Sequence, residues 1–247
     1  MNCHQLRKRV TTLKRSSATL ILAVCLAFLL PLLSLAQDRE ALPSFNQKVL
    51  AMAASYPTDG THNYWWPRSG ESSYDGSSMD VMLMGKRVMR GEEQKRTFCC
   101  GLTLEVFARV YDEWLMEQPE GFEPPVTPDN WRDFQRVWFV LEANGPGPSA
   151  ALEKYGIGRQ IQAHEALPGD FVQIWRTSRT GGQGSGYSVV FLDWVRNDAG
   201  KVVGMKYWST QPGTNGINEN IEYYGPMGGM STEYTTFGRV ELDGKKA

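Results

Sequence analysis

Histidine and cysteine are scarce in this sequence. Its 247 residues include three histidines and four cysteines, with no Cys-x-x-Cys or His-x-x-x-His spacing. Structural zinc sites usually take their ligands from such spacings, so we predict no metal site. No glycine-rich motif leads from a strand into a helix, which argues against nucleotide binding. The sequence therefore predicts neither a metal ion nor a cofactor.

Acidic residues are absent from the first 36 positions, which carry a charge of +5. Because the formal charge of the whole chain is −1, the remainder carries −6. A mildly acidic domain argues against nucleic acid as the partner.

The same 36 residues have the organisation of an export signal. An apolar run over residues 18–33 follows the basic segment, and Ser34-Leu35-Ala36 supplies small residues before Gln37. This order is typical of a secretory signal peptide. We predict that residues 1–36 are removed and that the mature protein is exported, periplasmic or extracellular, with no further membrane contact. The alternative is an uncleaved N-terminal helix that anchors the protein, because the apolar run is almost long enough to span a bilayer.

Removal of the signal would leave Cys99 and Cys100 as the cysteines of the mature protein. Neighbouring cysteines rarely bridge each other, because the resulting ring is strained, so no disulfide framework is expected. Thr97 can cap a helix whose apolar stripe has a 3.6-residue period, formed by Leu102, Val106, Phe107, Val110, Trp114 and Leu115.

Both thiols would then lie in the first helical turn. Unpaired N–H groups and the positive end of the helix dipole favour a thiolate there, as expected for a nucleophile. The alternative is that both thiols are small buried apolar residues.

Helical patterns precede strand patterns along the chain. We predict helices at residues 44–55, 79–89 and 99–115, a further helix beginning near Thr127, and a short one capped by Ser149. Alternating or apolar runs predict strands at residues 171–175, 187–195, 201–208 and 234–242, with loop at 180–186 and 210–232. This order predicts an α+β fold with N-terminal helices packed on a C-terminal antiparallel sheet. The expected organisation is a helical segment at 37–59 and one domain at 60–247.

Three stretches resemble motifs of the NlpC/P60 superfamily of papain-like cell-wall peptidases and amidases, which is related to CHAP domains. Cys99-Cys100-Gly101-Leu102 is similar to the Cys-Ser-Gly start of the family's nucleophile helix. Residues 167–172, Leu-Pro-Gly-Asp-Phe-Val, resemble the Pro-Gly-Asp element before its first strand. Residues 187–192 resemble the strand that normally starts with Gly-His. The stretches occur in family order, and the resemblance covers about residues 60–240.

The resemblance implies a papain-like NlpC/P60 fold and a thiol mechanism acting on peptidoglycan peptides. Cys99 would be the nucleophile, with Cys100 at the family's serine position. Ser209 or Gln211, near the end of the third strand, would orient the base. The expected substrate-binding residues are Tyr64, Trp65 and Cys100, and the protein is expected to act as a monomer.

Tyr187 stands at the family's histidine position. A tyrosine hydroxyl titrates near pH 10, which makes it a poor general base at neutral pH. His62 and His164 are the alternative bases. Two hypotheses follow: an exported thiol hydrolase of amide bonds, a cysteine peptidase or amidase weakened by loss of the histidine, and a catalytically inactive relative that binds wall peptide or a protein partner.

Overall fold

Four helices and eight strands make up the described part of the protein. The computed structural model describes residues 42–67, 74–140, 145–180, 182–226 and 228–242, so the predicted signal peptide lies outside the described residues. The helices are α1 (Ser44–Ala54), α2 (Cys99–Met116), α3 (Trp131–Trp138) and α4 (Pro148–Lys154). The strands are β1 (Val81–Leu83), β2 (Lys86–Met89), β3 (Gly158–Ile161), β4 (Phe171–Thr177), β5 (Gln183–Arg196), β6 (Val202–Gln211), β7 (Gly216–Tyr223) and β8 (Thr236–Val240).

The main sheet has six antiparallel strands in the order β3-β8-β4-β5-β6-β7. Helix α2 packs on β5 and β6, while α4 packs on β3, β4 and β8. Successive side chains of a strand point to opposite faces. Accordingly, Val190 and Trp208 belong to the core cluster shared with α2, whereas Val189, Phe191 and Tyr207 belong to a second cluster. The predicted α+β class, with helices on an antiparallel sheet, is confirmed.

Helix α1 belongs to the same compact unit as the sheet. This unit begins at Pro43. Asn46 of α1 donates to one oxygen of the buried Asp170 carboxylate at 2.8 Å. Arg239 of β8 donates hydrogen bonds to both oxygens of that carboxylate, from Nε at 3.0 Å and from Nη2 at 2.7 Å. The Pro-Gly-Asp element before β4 thus ties α1, β4 and β8 together.

The helix predicted over residues 79–89 is wrong. The structure has the hairpin β1–β2 there, with Met84 and Gly85 in its turn. Met84 has φ 50° and Gly85 has φ 75°, the left-handed pair that a tight hairpin turn requires. Asp112 of α2 accepts a hydrogen bond from the Met84 N–H at 2.7 Å, which holds the turn against the helix.

The loop predicted over residues 210–232 is also wrong, because it contains β7. This strand pairs with β6 from Gly204 opposite Tyr223 to Gln211 opposite Gly216. Strand β3 was not predicted, and β5 begins at Gln183, inside the expected glycine-rich loop. Strand β8 is an interior strand of the sheet, since it pairs with both β3 and β4.

The first turn of α2 rests on a loop that precedes β1. The Phe98 N–H donates to the Gly76 carbonyl at 3.2 Å. Glu105, on the second turn of α2, accepts hydrogen bonds from the N–H and hydroxyl of Ser78 at 2.6 and 2.8 Å. Burial raises the pKa of this carboxyl despite those bonds. The loop and the helix start are therefore held as one structure.

Thr97 is not the helix cap. The residue that precedes α2 is Phe98, which has extended backbone and makes no side-chain cap bond. The Thr97 hydroxyl is buried and has no hydrogen-bond partner among the described residues. The prediction that Cys99 and Cys100 begin the helix is confirmed.

Candidate active site

Cys99 lies where the start of α2 meets strand β5. The backbone N–H groups of Ser188, Cys100 and Cys99 itself act to lower the pKa of its thiol. The side chain is 7% exposed, and it forms part of the wall of a cavity. The thiol is thus shielded from bulk water and still open to a small reactant.

The two adjacent thiols have opposite tendencies. The neighbouring Cys100 thiol, followed by the three backbone N–H groups, lowers the pKa of Cys99 against the effect of burial. Burial raises the pKa of Cys100 well above its ordinary value, and donation to Cys99 raises it further. The arrangement therefore favours a thiolate on Cys99 and a neutral thiol on Cys100.

The cavity beside Cys99 has a volume of about 400 Å³. Its described lining is aromatic and polar, with no carboxylate among the lining side chains. The lining consists of Tyr64, Trp66, Cys99, Arg176, Ser185, Gly186, Tyr187, Gln211 and Pro212. The structure therefore brings three of the sequence-predicted residues, Tyr64, Tyr187 and Gln211, to one cavity with Cys99.

Tyr187 lines this cavity, but its hydroxyl is engaged elsewhere. It donates to Glu222 of β7 and accepts a hydrogen bond from Arg176 of β4 at 3.0 Å. Burial, followed by the neighbouring Tyr207 and Glu222, raises the pKa of Tyr187 far above its ordinary range. A hydroxyl that keeps its proton cannot accept one from Cys99, so this tyrosine cannot act as the general base at neutral pH.

Ser188, rather than Tyr187, lies on the helix-bearing face of β5. It is two residues before Val190, which packs in the cluster with α2, and strand side chains alternate between faces. The Ser188 hydroxyl donates to Gln173 of β4 at 2.8 Å and is fully buried. Ser188 is therefore packed on the α2 side of β5 and does not line the cavity, whereas Tyr187 belongs to the cluster that contains Cys99.

The two candidates for an orienting residue occupy different surroundings. The Ser209 hydroxyl donates to the Ser188 carbonyl at 2.9 Å and is buried in the sheet. Gln211 lines the cavity, and its buried Nε2 has no hydrogen-bond partner among the described residues. An unpaired buried amide is costly in a folded protein unless a ligand or water satisfies it. Gln211 is therefore the candidate that is available to a ligand.

The expected substrate-binding residues also divide. Tyr64 lines the cavity, and burial, followed by Cys99 and Cys100, raises the pKa of its hydroxyl to about 12. Trp65 is instead stacked between the guanidinium of Arg96, 3.8 Å from its ring centroid, and the ring of Tyr74. Cys100 belongs to the helix-side core cluster and is not part of the cavity lining.

Neither alternative histidine lines the cavity. His62 packs edge-on against Tyr56 with ring centroids 6.4 Å apart, and burial lowers its pKa. The Thr61 hydroxyl is 3.1 Å from its Nδ1. His164 is exposed in the 3₁₀ turn Ala163–Glu165.

The sequence reasoning missed Trp66, Arg176, Glu222 and Ser188. Trp66 could have been identified from the sequence, because this residue directly follows the predicted pair Tyr64 and Trp65. Strand alternation would have placed Ser188 on the face of Val190. The association of Arg176 with Glu222 depends on the unpredicted strand β7, so no local signal identified it.

The described residues contain no group of three or more histidine, cysteine or acidic side chains arranged to hold a metal ion. Within the same residues, no helix is long and apolar enough to cross a membrane. Comparison with protein-family models, curated proteins and solved structures found no match to this chain.

Proposed function

We propose that the protein is an exported cysteine peptidase or amidase of the NlpC/P60 kind, which hydrolyses amide bonds in peptidoglycan peptides. The observation that carries the proposal is the setting of Cys99. Its thiol lies at a helix start in the wall of an open cavity, and the Cys100 thiol and three backbone N–H groups lower its pKa. Such surroundings are those of activated cysteine nucleophiles.

The proposed reaction begins with attack of the Cys99 thiolate on the amide carbonyl carbon. A C–S bond forms, and the carbonyl electrons move to the oxygen, which can accept a hydrogen bond from the free Nε2 of Gln211. Collapse of this intermediate breaks the C–N bond and releases the amine, which takes up a proton. Water then attacks the thioester, and Cys99 leaves as a thiolate.

Protonation of the departing amine limits this reaction. Cys99 aside, the titratable groups that line the described cavity are Tyr64, Arg176 and Tyr187, and the pKa of each is raised. Water in the open cavity must therefore supply the proton. We expect slow turnover of amides and faster turnover of aryl esters, whose leaving groups need no proton.

The test is release of new amino groups from peptidoglycan and from synthetic peptides by the purified protein. We expect Cys99→Ala to abolish this release, a loss of at least ~100-fold, because the nucleophile is gone. Cys100→Ala, the matched control one residue along, should retain measurable activity. Amine release that survives Cys99→Ala would contradict the proposed mechanism.

A second candidate is a catalytically inactive relative that binds wall peptide or a protein partner in the same cavity. Three hydrogen bonds favour it: the Tyr187 hydroxyl is engaged by Glu222 and by Arg176, and the Ser188 hydroxyl is engaged by Gln173. Neither side chain can then serve Cys99 as a base.

A pair of histidine variants separates the candidates. Tyr187→His places an imidazole in the wall of the cavity that Cys99 also lines, whereas Ser188→His places it at a fully buried position outside the cavity lining. For the second candidate, we expect Tyr187→His to create amine release in an inactive parent and Ser188→His to leave it inactive. Circular dichroism checks that both variants fold.

Export rests on residues 1–36, and we retain it as part of the proposal. Cleavage before Gln37 would leave a soluble monomer that meets its substrate outside the cytoplasm. Mass spectrometry of the mature N-terminus distinguishes cleavage from an uncleaved anchor.

A further inference from the structure

Arg176 carries a charge into the cavity of Cys99 that the proposed reaction does not use. We infer that this cavity selects substrates bearing a carboxylate, which the guanidinium of Arg176 binds beside the amide that Cys99 attacks. The inference rests on the proposed function and adds a substrate class to it.

The guanidinium is held from one side. Its Nε donates to Glu222 at 2.8 Å, and its Nη2 donates to Glu222 at 3.2 Å and to the Tyr187 hydroxyl at 3.0 Å. Its central carbon lies 4.8 Å from the centroid of the Tyr187 ring. The two N–H groups of Nη1 have no partner among the described residues, so they are the donors left for a ligand.

The charges at this site are unequally exposed. The Arg176 side chain is 37% exposed, whereas that of Glu222 is 12% exposed. Arg176 lines the cavity and Glu222 does not, and apart from the Cys99 thiolate no other described lining residue is charged. A ligand in the cavity therefore meets the positive partner of this ion pair first, and a carboxylate gains a charge-assisted hydrogen bond there.

The residues behind Arg176 keep it in place. Tyr187 packs against Tyr207 with ring centroids 5.9 Å apart, and Asn220 donates to the Tyr207 hydroxyl at 3.0 Å. An arginine fixed before binding loses little side-chain freedom when the ligand arrives, which favours affinity. Its neighbours in the wall, Tyr64 and Trp66, offer aromatic surface to the rest of a peptide.

The ligand carboxylate can come from an acidic side chain or from the end of a peptide. Three synthetic peptides of equal length distinguish these sources. One carries glutamate and an amidated C-terminus, one carries glutamine and an amidated C-terminus, and one carries glutamine and a free C-terminus. Calorimetry on Cys99→Ser protein measures binding without turnover.

We expect at least one carboxylate peptide to bind about tenfold more tightly than the uncharged peptide. The preference should disappear in Arg176→Gln. Because this change leaves Glu222 buried without its partner, the double variant Arg176→Gln/Glu222→Gln provides the same test in a neutral pair. Arg179→Gln is the matched control, since Arg179 is exposed three residues further along the chain, between β4 and β5, and does not line the cavity.

Equal affinity for all three peptides, no binding at millimolar concentration, or a preference that survives the double variant would overturn the inference. The hydrolase proposal fails separately. A carboxylate preference in a protein that releases no amines would leave this inference standing and remove the enzyme. Amine release without any preference among the peptides would overturn this inference and leave the hydrolase proposal standing.

Discussion

Cys99 and Cys100 have the same side chain and different surroundings. The Cys100 thiol and three backbone N–H groups lower the pKa of Cys99 and so favour negative charge on its sulfur. Cys100 points into the helix-side core, where burial disfavours a charge. The two thiols therefore differ in pKa because of their positions within one helical turn.

This assignment predicts the effect of Cys100→Ala on the reactivity of Cys99. Loss of the donor raises the pKa of Cys99, so less thiolate is present near neutral pH. We expect iodoacetamide to label Cys99 roughly tenfold more slowly at pH 6, given the strength of a hydrogen bond to a charged acceptor. At a pH above both values the two proteins should label at similar rates. Peptide mass spectrometry identifies the labelled cysteine.

Cys100→Ser is the control for this experiment, because a hydroxyl can still donate to the Cys99 sulfur. Its pH profile should lie closer to that of the parent than to that of Cys100→Ala. Identical profiles for the parent and Cys100→Ala would contradict the stabilisation described above.

The sequence predicted the position of Cys99 at a helix start, but it could not predict the contacts of the other residues around the cavity. The helix start follows from a local apolar period, which needs no knowledge of the rest of the chain. The hydroxyl of Tyr187 meets Glu222, 35 residues later, across strand β6. Matching Tyr187 to a family motif by order alone also hid the fact that Ser188 has the helix-facing side chain.

At the scale of elements, the start of α2 depends on a backbone-to-backbone approach. A Cβ built on Gly101 would lie 2.4 Å from the carbonyl carbon and oxygen of Gly76. Real Cβ atoms are not found so close to backbone, so only glycine lets the loop rest on this turn. The approach supports the segment from which Cys99 projects.

Gly101→Ala should therefore destabilise the protein, although alanine is favoured over glycine in an isolated helix. We expect the free energy of unfolding to fall by about 3 kcal/mol, the upper end of the usual cost of overpacking. Urea denaturation followed by tryptophan fluorescence measures it.

Gly213→Ala is the matched control, because a Cβ there would meet no atom within 4 Å. Its free energy of unfolding should change by less than about 1 kcal/mol. If Gly101→Ala is as stable as this control, the loop can move away from the helix at little cost.

Elements that bury one regular face were predictable, and elements whose identity depends on partners were not. The helix at Ser44–Ala54 and the turn after β5 follow from local signals. Strand β7 has a run of polar residues at its centre, and its pairing with β6 is what makes it a strand. The β1–β2 hairpin was missed because its turn places a methionine, Met84, where asparagine or glycine is usual.

At the scale of the whole molecule, β4, β5 and β6 have a strand on either side, whereas β3 and β7 are edges of the main sheet. Strands β4 and β5 also carry the fully buried residues Val172, Ile174, Val189 and Val190. Exchange of their amide hydrogens should require global unfolding. We expect hydrogen exchange followed by mass spectrometry to show the slowest exchange in β4–β6 and faster exchange in β7.

Equal protection of β7 and β5 would contradict this expectation and would indicate that the β7 edge is covered in solution. The exposed Ile221 and Tyr223 on that strand make the comparison sensitive to such a cover. The order of strands in the sheet could not be predicted from sequence, because it is set by pairings between segments up to about 80 residues apart, such as β3 with β8.

The position of β8 has a consequence for how the protein is made. A ribosome adds residues in sequence order, and β8 follows every other described strand, yet it lies between β3 and β4. Until residues 236–240 have been synthesised, β3 and β4 face each other across an unfilled gap, with backbone N–H and C=O groups unpaired on both sides. The nascent chain therefore carries this unpaired gap while residues 178–235 are added, and closing it late joins α4 and β3 to the rest of the sheet.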